Sequence, residues 1–166
     1  MLMALCCRKK KLHEAAREDR FAETEAFLQI AAQRLKQQGA SEMQWMEDQL
    51  RIALLKDGQS LLQSLLNNPS LRVAGDAPGQ GERTFEGRTR QVESLFGPIC
   101  LTRRYYHKEG GGRYPLDKAL GLIGEYTPSL ARLMTRAGAQ SPFAQASEDL
   151  ALYAAVDVGA QRIYFV

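Results

Sequence analysis

Gly97-Pro98-Ile99-Cys100-Leu101-Thr102-Arg103-Arg104-Tyr105-Tyr106-His107 is the stretch on which the reading of this chain turns. It is rich in β-branched and aromatic residues, and Gly97-Pro98 is a turn signal, so a strand is predicted over Ile99 to His107. A period of two puts Ile99, Leu101, Arg103 and Tyr105 on one face and Cys100, Thr102, Arg104 and Tyr106 on the other. Upstream, Thr84 to Phe96 reads as the partner strand. Gly75, Pro78, Gly79 and Gly81 make a flexible link ahead of it. Downstream, Gly110-Gly111-Gly112 ends the second strand, and Tyr114-Pro115-Leu116-Asp117 begins a return segment.

On either side the period becomes helical. Phe21, Leu28, Ala31, Ala32 and Leu35 share one face of a first helix, which Gly39 stops. Ser41 and Gln44 have the form of a capping box that opens a second helix. Its stripe is Met43, Met46, Leu50, Leu54, Leu61 and Leu65, and Asn67-Asn68-Pro69 ends it. The two read as an antiparallel hairpin, with Trp45 as a packing anchor. After the β segment, Thr127-Pro128 opens a helix with Leu130, Leu133, Met134 and Ala137 on its inner face, closed by Gly138. Ser141-Pro142 repeats the signal for a helix with Phe143, Ala146, Leu150 and Tyr153 inward. Ala155 to Val158 is a turn, and Gly159-Ala160-Gln161-Arg162 opens a last helix. The predicted class is α+β: a helical hairpin with a basic tail over 1–70, a small antiparallel β segment over 71–125, and helix–turn–helix-like helices over 126–166.

Composition narrows the function. The chain has 166 residues with 45% hydrophobic and 25% charged, as in ordinary folded domains. No apolar run approaches the roughly 18–20 residues of a membrane helix. Three Cys and two His leave little for a disulfide framework or a four-ligand zinc site. Met1 to Cys7 is apolar and Arg8-Lys9-Lys10-Lys11 follows, the wrong order for a secretory signal. Lipid attachment at Cys6-Cys7 competes there with a frayed basic terminus. The expected compartment is the cytoplasm, without a membrane partner.

The main chemical signal is charge on the β segment. Residues 83–113 hold seven cations against Glu86, Glu93 and Glu109, a net +4 that exceeds the whole chain's +3. Tyr105, Tyr106 and Tyr114 lie among them. Arginines on a two-stranded ribbon can hold phosphates, and the competing reading is a solvated sheet face whose arginines pair with acids. The helix–turn–helix pattern likewise fits either DNA recognition or plain packing. Other motifs fail. His13-Glu14-Ala15-Ala16-Arg17 lacks the second His of a zinc peptidase, and the triple glycine lacks the Lys-Ser/Thr end of a phosphate loop. Cys100, with no His nearby, reads as a buried structural thiol, and His107 as a strand-end surface residue. No catalytic residue, metal ligand or cofactor is expected.

From Gly97 to His107, through Gly110-Gly111-Gly112-Arg113-Tyr114-Pro115-Leu116-Asp117 and Ala119-Leu120-Gly121-Leu122, and on over Thr127-Pro128-Ser129-Leu130-Ala131-Arg132-Leu133, the sequence resembles bacterial insertion-sequence transposases of the ISKra type. The resemblance covers roughly residues 80–162. It implies an N-terminal DNA-recognition region placed ahead of an RNase-H-like catalytic domain with three metal-binding carboxylates. That domain is expected to be missing, and Ile163-Tyr164-Phe165-Val166 reads as the end of a truncated or frame-shifted frame. Some relatives carry paired Cys near the Tyr-Tyr-His segment. Lys108-Glu109-Gly110 stands here instead, so no zinc is expected. The expected function is DNA binding at the element's terminal repeats, inactive alone, through Arg88, Arg90, Arg103, Arg104, Lys108, Arg113 and Arg162. The alternative is a protein-interaction module whose first two helices form a coiled-coil-like homodimer face.

Overall fold

The structure is a computed structural model and describes residues 21–38, 43–68, 70 and 73–165. The expectations placed on the N-terminal Cys-Cys and basic run, His13, Gly39 and the capping-box Ser41 lie outside those residues. The class is α+β, as the mixed periods require. In chain order the elements are α1 (Ala22–Gln38), α2 (Met43–Leu66), β1 (Arg83–Ser94), β2 (Gly97–Lys108), β3 (Gly111–Arg113), α3 (Pro115–Ala119), α4 (Pro128–Gln140), α5 (Phe143–Ala154) and α6 (Ala160–Tyr164). Two units divide between Leu61 and Leu62, inside α2. No helix among the described residues is long and apolar enough to cross a membrane.

In the first unit, the start of α1 meets Asp57 of α2, and the Phe27 and Trp45 ring centroids lie 6.2 Å apart. The Arg34 guanidinium lies 4.0 Å over the Trp45 ring. Trp45 is thus a packing anchor. The expected apolar face of α1 is not buried. Ala31 is, but Phe21, Leu28 and Leu35 are 48%, 57% and 45% exposed. On α2 the buried residues are Ala53 and Asp57, whereas Met43 and Leu54 stay exposed.

The second unit holds the sheet, in order β1-β2-β3 and antiparallel throughout. The first reversal falls at Leu95-Phe96 rather than at Gly97-Pro98. Gly97 takes φ +100°, a left-handed exit from the turn that favours glycine, and Pro98 already lies in β2 opposite Glu93. Ser94, buried, holds the tip: its hydroxyl donates to the Gly97 carbonyl at 2.7 Å and accepts the Phe96 N–H at 3.1 Å. Gly87, at φ +69°, lies in an irregularity of the ladder between Phe85 and Arg88, where β1 has one residue more than β2. The triple glycine follows the end of β2 at Lys108 and turns the chain back, with Gly111 and Gly112 in β3 opposite Lys108 and His107. The return segment that begins at Tyr114 forms a short helix over Pro115–Ala119.

Val92, Ile99 and Leu101 are fully buried, with Leu62 and Leu66 of α2, Leu120 and Leu122 packed on them. The same alternation turns Cys100 outward. It is exposed, and not the buried thiol expected. The Gln63 side-chain oxygen accepts the Cys100 N–H at 2.9 Å. The Asn67 amide donates to the Cys100 carbonyl and accepts the Thr102 N–H, both at 2.7 Å. Three helices build a second core from Leu130, Ala131, Met134, Ala146, Leu150, Val156, Val158 and Ile163. Gly138 does not close α4, which runs on to Gln140. A Cβ at Gly138 would lie 2.9 Å from Ile163 Cγ2 and 3.1 Å from the Phe143 ring, so glycine lets α6 approach. Ser141 ends α4 through its amide to the Ala137 carbonyl, and Pro142 takes the cap position of α5. Tyr153, expected inward, is 74% exposed.

Candidate nucleic-acid interface

The hairpin places the predicted cations on two faces. Arg88, Arg90 and Arg103 share the face of Ile99 and Leu101, because Arg90 pairs with Leu101 and Arg88 with Arg103. Arg90 and Arg103 converge on one oxygen of Asp117, Arg90 at 2.9 Å. The Arg103 guanidinium stacks 3.8 Å over Tyr114, and its side chain is 9% exposed. Its Nε and the second Asp117 oxygen are buried without a hydrogen-bond partner among the described residues. Arg88 is exposed, 5.7 Å from the Phe85 ring.

On the opposite face Asp76 accepts Arg104 at 2.5 Å and the Tyr106 hydroxyl at 3.1 Å. Glu86 takes the Arg104 Nε at 3.2 Å. Burial first, then Asp76, pushes the Tyr106 hydroxyl above its ordinary range. Arg113 lies 4.8 Å over the Tyr106 ring and donates to Glu82 through two nitrogens, at 2.9 and 2.8 Å. It also donates to the Gly75 and Ala77 carbonyls, both at 2.7 Å. The link expected to be flexible is therefore tied to the sheet by Arg113. Its carboxylate partner Glu82 is pulled down to about 2, first by the Arg113 hydrogen bond and next by the Gly79 N–H.

Four of the seven predicted contacts, Arg90, Arg103, Arg104 and Arg113, are thus held by carboxylates inside the fold. Arg162 lies on α6, 3.8 Å from Glu125, with about half of each side chain exposed. Arg88 and Lys108 are exposed and have no carboxylate within 4 Å among the described residues.

The helix–turn–helix candidate is α5, the connection Ala155 to Gly159, and α6. Ala155 takes φ +53°, and the Val156 amide returns to the Leu150 carbonyl at 3.1 Å. Val156 and Val158 are buried, and the Ser147 hydroxyl donates to the Val158 carbonyl at 2.7 Å. Gln161, Arg162 and Tyr164 of α6 are exposed, while Ile163 faces the core. Arg132 and Arg136, one turn apart on α4, are exposed as well. They were legible as an i, i+4 pair but stood outside the β segment where the charge excess drew attention. Among the described residues no group of three or more His, Cys, Asp or Glu side chains is placed to hold a metal ion. In comparisons with known proteins, no family model, curated protein or solved structure matches this chain.

Proposed function

We propose that this chain is the DNA-recognition part of an insertion-sequence transposase of the ISKra type, the family its sequence resembles. The observation that carries the reading is the pairing of α5 and α6. They are joined at a left-handed Ala155, locked by Ser147 on Val158, and α6 turns Gln161, Arg162 and Tyr164 outward. A short helix with an outward polar face on a packed helical support is the form that enters a major groove. Gln161 suits an adenine edge, and Arg88, Lys108, Arg132, Arg136 and Arg162 supply cations for phosphates. With five residues in α6, base readout is confined to few positions and most of the affinity is electrostatic. The reading carries with it a cytoplasmic location, no membrane partner, no cofactor and no catalysis by these residues.

The test is an anisotropy titration against duplexes carrying the terminal repeats or a scrambled sequence, at two salt concentrations. Gln161→Ala with Arg162→Ala should weaken binding to the repeats by about 1–3 kcal/mol more than to the scrambled duplex. Arg88→Ala with Lys108→Ala should weaken both equally and reduce the salt slope by about 0.9 per lost contact. No binding to either duplex at about 50 mM salt overturns the reading.

A second observation favours a homodimer through α1. Phe21, Leu28 and Leu35 recur every seven residues and are all about half exposed, the spacing of a coiled-coil seam. Leu28→Glu should then convert a dimer to a monomer in sedimentation equilibrium. A wild-type monomer removes this reading.

A further inference from the structure

Among the described residues, no core cluster covers one half of the first sheet face. Toward the hairpin tip, Val92, Ile99 and Leu101 are buried under leucines. Beyond the irregularity at Gly87, the same face carries Phe85 opposite Tyr105 and Arg83 opposite His107. The rings form a chain. Centroids are 6.2 Å apart for Phe85 and Tyr105, 4.7 Å for Tyr105 and Tyr114, and 5.9 Å for the stacked Tyr105 and His107. Phe85 is 40% exposed, His107 is exposed, and Tyr105 and Tyr114 are half-buried. Gly112 makes room for this chain: a side chain there would collide with the Tyr105 ring.

We infer that this outer half-face is a stacking platform for the unpaired bases of single-stranded DNA, an inference that rests on the DNA-binding reading above. Two features choose the occupant. Exposed rings offer π-faces, and only unstacked bases can present theirs in return; a duplex hides them. The charge beside the rings is positive. Arg83, opposite His107, and Arg88, 5.7 Å from the Phe85 ring, are exposed, without a carboxylate within 4 Å among the described residues, while Lys108 alternates onto the face of Arg104 and Tyr106. Glu86 faces Arg104 on the other side. Rings flanked by cations suit a strand whose bases stack while its phosphates run past the arginines. Terminal transposon DNA offers such a strand wherever its end is frayed or nicked, so the platform and α6 would hold different parts of one substrate.

The experiment uses the full chain with labelled oligothymidylate of about 15 nucleotides and the same strand annealed to its complement. Phe85→Ala should lower single-strand affinity by about 5- to 150-fold, leave the duplex affinity within about twofold, and leave the salt slope unchanged, because no phosphate contact is lost. Phe85→Tyr should retain wild-type affinity. Arg83→Ala with Arg88→Ala should instead reduce the single-strand salt slope by about 0.7 per contact. If circular dichroism shows that Phe85→Ala unfolds, His107→Ala takes its place, at the exposed end of the same chain of rings. Equal losses for single strand and duplex, or none, overturn the platform. Duplex binding without single-strand binding sinks this inference alone. Single-strand binding that depends on Phe85, without duplex binding, sinks the helix–turn–helix reading and leaves the platform standing.

Discussion

The Asp57 carboxylate of α2 closes the first turn of α1, accepting the Glu23 amide at 3.2 Å and the Thr24 amide at 2.9 Å together with the Thr24 hydroxyl. A helix start leaves amides without intrahelical partners, and here they are met by an acid more than thirty residues away. Asp57 is 4% exposed, a buried charge satisfied by its hydrogen bonds. Burial alone would raise its carboxyl, but the bonds from Thr24 and Glu23 outweigh that and hold it below the ordinary value.

Asp57→Ala should therefore destabilise the first unit by about 1–3 kcal/mol, with Asp57→Asn, which keeps an acceptor, losing less. Urea unfolding followed by far-ultraviolet dichroism measures both. Equal stability of wild type and Asp57→Ala would show that the cap contributes nothing.

Gly138 and Ala155 should respond in opposite directions. Gly138→Ala drives a methyl onto Ile163 and should cost about 1–3 kcal/mol, lowering Tm. Ala155→Gly relieves a left-handed backbone and should gain about 0.5–1 kcal/mol, raising it. Calorimetry of the two variants checks the pair of signs.

Asp117→Ala leaves the Arg103 guanidinium, 9% exposed, without its carboxylate and should cost about 3–5 kcal/mol. Glu86→Gln removes the Arg104 partner that is 73% exposed and should change stability by less than about 1 kcal/mol. A larger effect at Glu86 than at Asp117 in denaturant titrations would reverse this order. Replacing Arg103 or Arg104 to test DNA contact would disturb the fold itself, which is why Arg88 and Lys108 are the better probes.

Glu82 makes acid stability testable. Its carboxyl falls from an ordinary 4.5 to about 2, so its contribution is complete above pH 4.5 and drains away as pH falls through about 2. Glu82→Gln should be less stable than wild type at neutral pH, and the two should converge below about pH 2. Parallel stability curves across that window, read by far-ultraviolet dichroism, would contradict the assignment to Glu82.

Catalysis and zinc binding should both be missing. The turn Glu109-Gly110 carries no thiolate, so protein purified without a metal-affinity tag should contain far less than one zinc per chain. Incubated with Mg²⁺ or Mn²⁺, the chain should neither nick nor join terminal-repeat DNA. Cleavage that follows the protein peak through repurification would overturn this.

What the sequence made legible was local. The alternation over Ile99 to Tyr106 and the helical spacing of Leu130, Leu133 and Met134 both appear in the fold, because each depends on neighbours within a turn or two. The exact seat of the hairpin turn was not legible, since Gly97 serves as a strand entry at positive φ instead of a turn centre. The fate of the arginines was hidden for a different reason. Arg104 finds Asp76 twenty-eight residues upstream, and Arg103 finds Asp117 fourteen downstream. No period in the chain announces such pairs. The extra residue at Gly87 likewise kept Phe85 and Tyr105 from being read as partners, although a glycine inside a strand pattern is the usual sign of one.

The amides of Gln63 and Asn67 on β2 have a consequence for solubility. A strand whose outer N–H and C=O groups lie open is a template on which another chain can polymerise. The Cys100 N–H and C=O and the Thr102 N–H are occupied by side chains that have no further ladder to offer. The free thiol of Cys100 is exposed at the same place. Two copies approaching at Cys100 would meet a sulfhydryl that can be oxidised beside backbone groups that are already bonded, which disfavours an edge-to-edge ladder at that residue and leaves a reducible cross-link as the contact available to it.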